Sequence, residues 1–72
     1  MLALRPVASS CLTDIGYDHE ARVLMLGFQH GGVYRYRDVP PFVFEGLMNA
    51  ASLGQYFQRH VRGSYSYERV CR

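Results

Sequence analysis

Between Leu24 and Tyr36, large apolar and aromatic side chains recur at every second position: Leu24, Leu26 and Phe28, then Tyr34 and Tyr36. A two-residue period belongs to strands with one buried face. The two runs are separated by His30-Gly31-Gly32, where paired glycines remove the steric cost of positive φ, so the stretch predicts a hairpin. Loop length then decides which side chains share a face. An even loop sets the tyrosines beside Val23, Met25 and Gly27. An odd loop, with Gln29-His30-Gly31 as a type I turn closed by a glycine bulge, sets them beside Leu24, Leu26 and Phe28. The odd loop is favoured. It gathers the leucines, the phenylalanine and both tyrosine rings on one side and leaves Arg35 and Arg37 on the wetter one.

The rest of the chain arranges itself around this hairpin. Residues 1–8 read as a leader arm, and 9–72 as a single domain. Cys11 to Tyr17 predicts a first strand with Leu12, Ile15 and Tyr17 as its apolar members. In the turn that follows, Asp18 can bond the backbone two residues on. Arg22–Phe28 and Val33–Arg37 supply the second and third strands, and connections this short imply an antiparallel meander. Asp38-Val39-Pro40-Pro41 ends the sheet and opens a helix. That helix, Phe42 to Ala50, is expected to bury Phe44, Leu47, Met48 and Ala51. Gly46 weakens it by about 1 kcal/mol relative to alanine unless close packing requires the glycine. Ser52 and Gln55 match a capping box for a second helix, Leu53 to Val61, with Leu53, Tyr56, Phe57 and Val61 inward and Gly63 as its stop. The alternating tail Ser64–Val70 reads as a short fourth strand or an ordered strap. The predicted fold is α+β: a three-stranded antiparallel meander followed by two helices packed on one sheet face, with that C-terminal strand as an addition.

Composition changes this picture little. The chain has 72 residues, 49% of them hydrophobic, which suits one small domain with a core. Net charge is only +2, and all eight basic residues are arginine, a set suited to planar contacts with phosphate or carboxylate and equally to a GC-rich coding bias. Cys11 and Cys71 could bridge only if the terminal segments were neighbouring strands. The expectation is two free thiols in a cytoplasmic protein. Neither a signal peptide nor a transmembrane stretch is apparent, so no membrane partner is expected.

Candidate chemistry is sparse. His19, His30 and His60 have no metal-ligand spacing, the glutamates are scattered, and Gly31-Gly32 serves a hairpin rather than a phosphate loop; no catalytic residue, metal or cofactor is expected. Arginine beside aromatic residues points instead to binding. Arg35 and Arg37 project from one strand face. Arg59, His60 and Arg62 end the second helix, with Tyr65 and Tyr67 close behind. These seven are the candidate nucleic-acid contacts, RNA before DNA. Each has a plainer role to weigh against it: a solvated strand face for the first pair, helix-end capping and tail packing for the others. Tyr34 and Tyr36 are assigned to the core. A protein-interaction module or homo-oligomeric accessory protein is the alternative reading.

With these residues in place, the sequence resembles the KTSC domain family, a short module at the C-terminus of some lysyl-tRNA synthetases and a free-standing bacterial or phage protein. The likeness rests on Ile15-Gly16-Tyr17-Asp18, Gly32-Val33-Tyr34-Arg35-Tyr36 and Asp38-Val39-Pro40. It extends to the run Gly54–Gly63 with Tyr56, Phe57, His60 and Arg62, so it covers Ser9 to Val70. It implies a small non-enzymatic module for which the synthetase context suggests RNA, and it carries over no catalytic or ligand residue.

Overall fold

A computed structural model describes residues 4–71; Met1–Ala3 of the leader arm lie outside them. Five antiparallel strands form one sheet in the order of the sequence: β1 (Arg5–Pro6), β2 (Leu12–Asp18), β3 (Val23–Phe28), β4 (Val33–Tyr36) and β5 (Tyr67–Cys71). Between β4 and β5 run α1 (Pro41–Met48), α2 (Leu53–Tyr56) and a π-helical turn (Phe57–Val61) that continues α2.

The hairpin takes the odd register. Leu24 faces Tyr36 and Leu26 faces Tyr34 across β3 and β4. The loop is closed by Phe28 N–H donating to Gly32 O and Gly31 N–H donating to Phe28 O, with Gly31 and Gly32 at φ 104° and 94°. The tyrosines therefore share the face of the leucines. Asp18 also behaves as predicted, its Oδ1 accepting from the backbone of Glu20 and Ala21.

The three-stranded expectation is corrected to five. Part of the arm pairs with β2, Arg5 opposite Ile15 and Pro6 opposite Asp14, a two-residue edge that the proline keeps short. The alternating tail is a strand on β4: Tyr36 faces Tyr67, Arg35 faces Glu68 and Tyr34 faces Arg69, with a bulge before the Val33–Cys71 pair. Because β2 and β5 are separated by β3 and β4, the terminal strands are not neighbours. The condition for a Cys11–Cys71 bridge is not met, and Cys11 is a free thiol.

The helices cover one sheet face. Leu12, Ile15, Leu24, Leu26, Phe28 and Tyr36 from the sheet pack with Val39, Val43, Leu47, Phe57 and Val61 in a single core. In α1 the inward positions are Val43 and Leu47. Phe44 is half-buried, stacked on Tyr17 with centroids 4.9 Å apart, and Met48, expected inside, is exposed. The helix starts at Pro41 rather than Phe42 and is rotated by about one residue from the predicted phase. Gly46 is where close packing requires it: a Cβ there would stand 2.6 Å from Tyr56 Cζ. Ser52 caps α2, its Oγ accepting from Gln55 N–H at 3.3 Å. Beyond Tyr56 the ladder widens, Arg62 N–H donating to Phe57 O, and Gly63 at φ 80° turns the chain toward β5. No sequence signal predicted this π-helical turn.

Candidate functional site

The helical layer leaves β5 largely uncovered, and this creates the site. Two rows of side chains run across the inner face, Tyr17–Leu24–Tyr36–Tyr67 and Ile15–Leu26–Tyr34–Arg69. Their β2–β4 members lie under or beside the helices. Their last members, Tyr67 and Arg69, are exposed, Tyr67 to 61%. Where the covered part of the sheet gives way to the open part, a pocket of about 340 Å³ forms.

Aromatic faces make most of its wall. Phe28 is the hub: the His30 ring stacks on it at 5.1 Å, and Tyr34 and Phe57 meet it edge-on at 5.4 and 5.2 Å. Tyr67 closes the outer side, 5.5 Å from Tyr36 and 5.8 Å from Tyr34. The π-helical turn contributes Phe57 and Gln58 and delivers Arg62 and Gly63 to the rim, while Cys11 lies at the opposite wall. A π-turn beside a pocket is a recurrent feature of functional sites.

No acidic side chain lines the pocket. Arg62 is held by Gln58, whose Oε1 accepts from its Nη1 at 3.0 Å. Arg69 lies over the Tyr34 ring, 5.9 Å from its centroid, and against Gly32. Neither arginine has a carboxylate partner among the described residues. Burial pushes the Tyr36 hydroxyl up to about 12, with Tyr67 and Tyr34 adding to the rise and Arg62 opposing it, so Tyr36 is a neutral phenol throughout the physiological range. Chemically, the pocket offers flat aromatic faces, the phenols of three tyrosines and a cationic rim.

The seven predicted contacts do not form one surface. Arg35 and Arg37 lie on the opposite sheet face, both bound to Glu68 Oε2 at 3.1 and 3.0 Å, so one carboxylate offsets part of their charge. Arg59 and His60 are exposed on the helical layer beside a shallow groove that includes Tyr56, whose ring centroid is 4.4 Å from that of His60. Tyr65 packs against the core and is not an open platform. Arg62 and Tyr67 alone reach the aromatic pocket. Tyr36 is core, as assigned, whereas Tyr34 is half-buried and lines the pocket.

Sequence reasoning missed Phe28, His30, Phe57 and Arg69 as members of the site. Pairing the Tyr65–Val70 alternation with Val33–Tyr36 would have found Arg69. Among the described residues no group of three or more His, Cys, Asp or Glu could hold a metal ion, and no helix is long and apolar enough to cross a membrane.

Comparison with known proteins agrees with this architecture. A crystal structure of a KTSC domain protein from Yersinia pestis superimposes with a TM-score of 0.95 over 97% of this chain and 99% of that one, at 31% identity. An uncharacterised protein of Stutzerimonas stutzeri is 41% identical over 63 residues, which cover 86% of this chain and 89% of that protein. A lysine–tRNA ligase of Nostoc punctiforme is 36% identical over 61 residues, covering 85% of this chain but 11% of the ligase. Residues 8–65 match the KTSC domain, which takes in β2–β4, both helices and the π-helical turn; the chain belongs to the KTSC domain family.

Proposed function

We propose that this domain is a non-enzymatic module that binds single-stranded RNA through the inner face of β4 and β5. One observation carries the reading: an aromatic pocket open at Tyr67, with Arg62 on its rim, Arg69 over the Tyr34 ring beside it and no carboxylate in its wall. Aromatic faces hold unpaired bases and arginines hold phosphates, the combination that single-strand binding uses. Family context supports RNA, since a closely similar segment lies within a lysine–tRNA ligase. Arg35 and Arg37 have a smaller part in this reading because Glu68 already engages both.

The test is binding of a fluorescent RNA octamer by anisotropy across a salt series. Affinity should fall with salt at a slope of roughly 0.7 per phosphate engaged. Arg62→Gln with Arg69→Gln should lower that slope by about 1.4 without shifting the melting temperature. Failure to bind at low salt, where the electrostatic attraction is strongest, would sink the reading. Phe42, 70% exposed, and Met48, 44% exposed, on α1 favour a second reading, docking of a protein partner or a second copy. In that case RNA affinity is negligible, and Phe42→Ser abolishes the protein contact.

A further inference from the structure

We infer that the aromatic pocket receives one unpaired nucleobase of the bound strand, stacked against Tyr67, with Arg62 and Arg69 on the flanking phosphates. The inference rests on the RNA-binding reading and goes beyond it by assigning the occupant of a particular cavity. Size comes first. At about 340 Å³ the pocket is at the lower end of small-molecule sites, with room for a planar heterocycle.

Shape and polarity agree. The walls are ring faces from β3, β4, β5 and the π-helical turn, and the uncharged polar groups are Gln58, His30, the Cys11 thiol and the phenols of Tyr34, Tyr36 and Tyr67. A base has a π-face for the walls and edge donors and acceptors for those groups. A lipid chain would leave the polar groups unmatched, and an acidic peptide would bring little ring surface. Among the tyrosine and phenylalanine rings of the pocket, Tyr67 is the one left largely open, which is what a stacking platform requires. The charge sits where a phosphate would pass: Arg62 at the helical rim, Arg69 over Tyr34, and no carboxylate between them. The bound base would thus be read inside the domain, and its backbone held outside.

The experiment uses the full chain and three probes: an RNA octamer, the same octamer with abasic sugars, and adenosine monophosphate. Affinity is read by anisotropy and competition, and amide shifts are followed at His30, Gly63 and Tyr67. Removing the bases should weaken the strand by roughly 5- to 150-fold, the contribution of a stacked base. Tyr67→Ala should erase most of that difference, and Tyr67→Phe, which keeps the ring, should restore it. Tyr67 is exposed, so both variants should melt near the wild-type temperature. Equal affinity for the octamer and its abasic analogue, or indifference to Tyr67→Ala, overturns the base pocket while leaving RNA binding intact. Failure of both octamers at low salt overturns the functional reading itself. Tight binding of the mononucleotide with no strand binding makes the occupant a free nucleotide and overturns the assignment to a strand.

Discussion

Replacing Gly46 with alanine sets two known effects against each other. In an exposed helix interior this change is worth about 1 kcal/mol of added stability, because alanine loses less backbone entropy. Here the new methyl would overlap the Tyr56 hydroxyl and stand 2.6 Å from its Cζ and 3.0 Å from its Cε2. A bent chain end could give way cheaply, but a phenol ring moves as a unit. Tyr56 is packed against the core and lies 4.4 Å from the His60 ring, so it must swing out of the contact between α1 and α2. Overpacking of this kind costs about 1–3 kcal/mol, and the expected net result is destabilisation. In a Tyr56→Ala background the obstacle is gone, and Gly46→Ala should stabilise by up to about 1 kcal/mol. A double-mutant cycle by urea and thermal unfolding should therefore show coupling of about 1–3 kcal/mol, the overpacking cost itself, with the single variant melting below the wild type by about 4–8 °C for each 1 kcal/mol of net loss. A Gly46→Ala protein that melts higher than wild type, or the same shift in both backgrounds, would refute the close-packing argument.

Phe57→Ala should cost about 3–5 kcal/mol in urea unfolding, because the ring is buried and meets Phe28 and Tyr36 edge-on; a cooperative melt near the wild-type temperature would show that the ring is not core. Alkaline pH should destabilise the fold through Tyr36. Its folded value of about 12 lies above its ordinary 10.0, so its contribution is full below pH 10 and is lost as pH rises through about 12. The loss, about 2–3 kcal/mol, should be missing from Tyr36→Phe when unfolding is followed between pH 9 and 12. Cys11 and Cys71 should both alkylate in the unfolded chain without prior reduction; a mass short by two hydrogens and no labelling would contradict the strand order.

The hairpin and both helices were legible because their signals are local. Alternation and a glycine loop set the β3–β4 register, and a proline and a serine open the two helices. Of the additional strands, β5 showed as alternation in the tail, but its pairing with β4 across the whole helical layer did not, and Arg5–Pro6 is too short to show a period. The phase of α1 was misjudged because Phe42, Val43, Phe44, Leu47 and Met48 leave almost no polar face to orient it. The candidate site was half legible. Arg62 and Tyr67 are distinctive in the sequence, but their convergence on Phe28 and Tyr34 depends on the β4–β5 ladder and on the π-helical turn, neither of which has a local signature.

The β4–β5 ladder also has a consequence for the order of assembly. Every other strand pair joins close neighbours in sequence, whereas Tyr36 and Tyr67 meet only after about thirty intervening residues have been looped out. Closing such a loop costs about 2 kcal/mol more than closing one of three or four residues, so it is recovered only when the helices already shorten the path. The meander and its helical cover can form first, with β5 arriving as the last piece. Because β5 brings Tyr67 and Arg69, a ligand held by them would favour the completed sheet over one lacking its last strand. Protection of the β5 amides from hydrogen exchange would then rise on binding, while the β2–β3 hairpin stayed as it was.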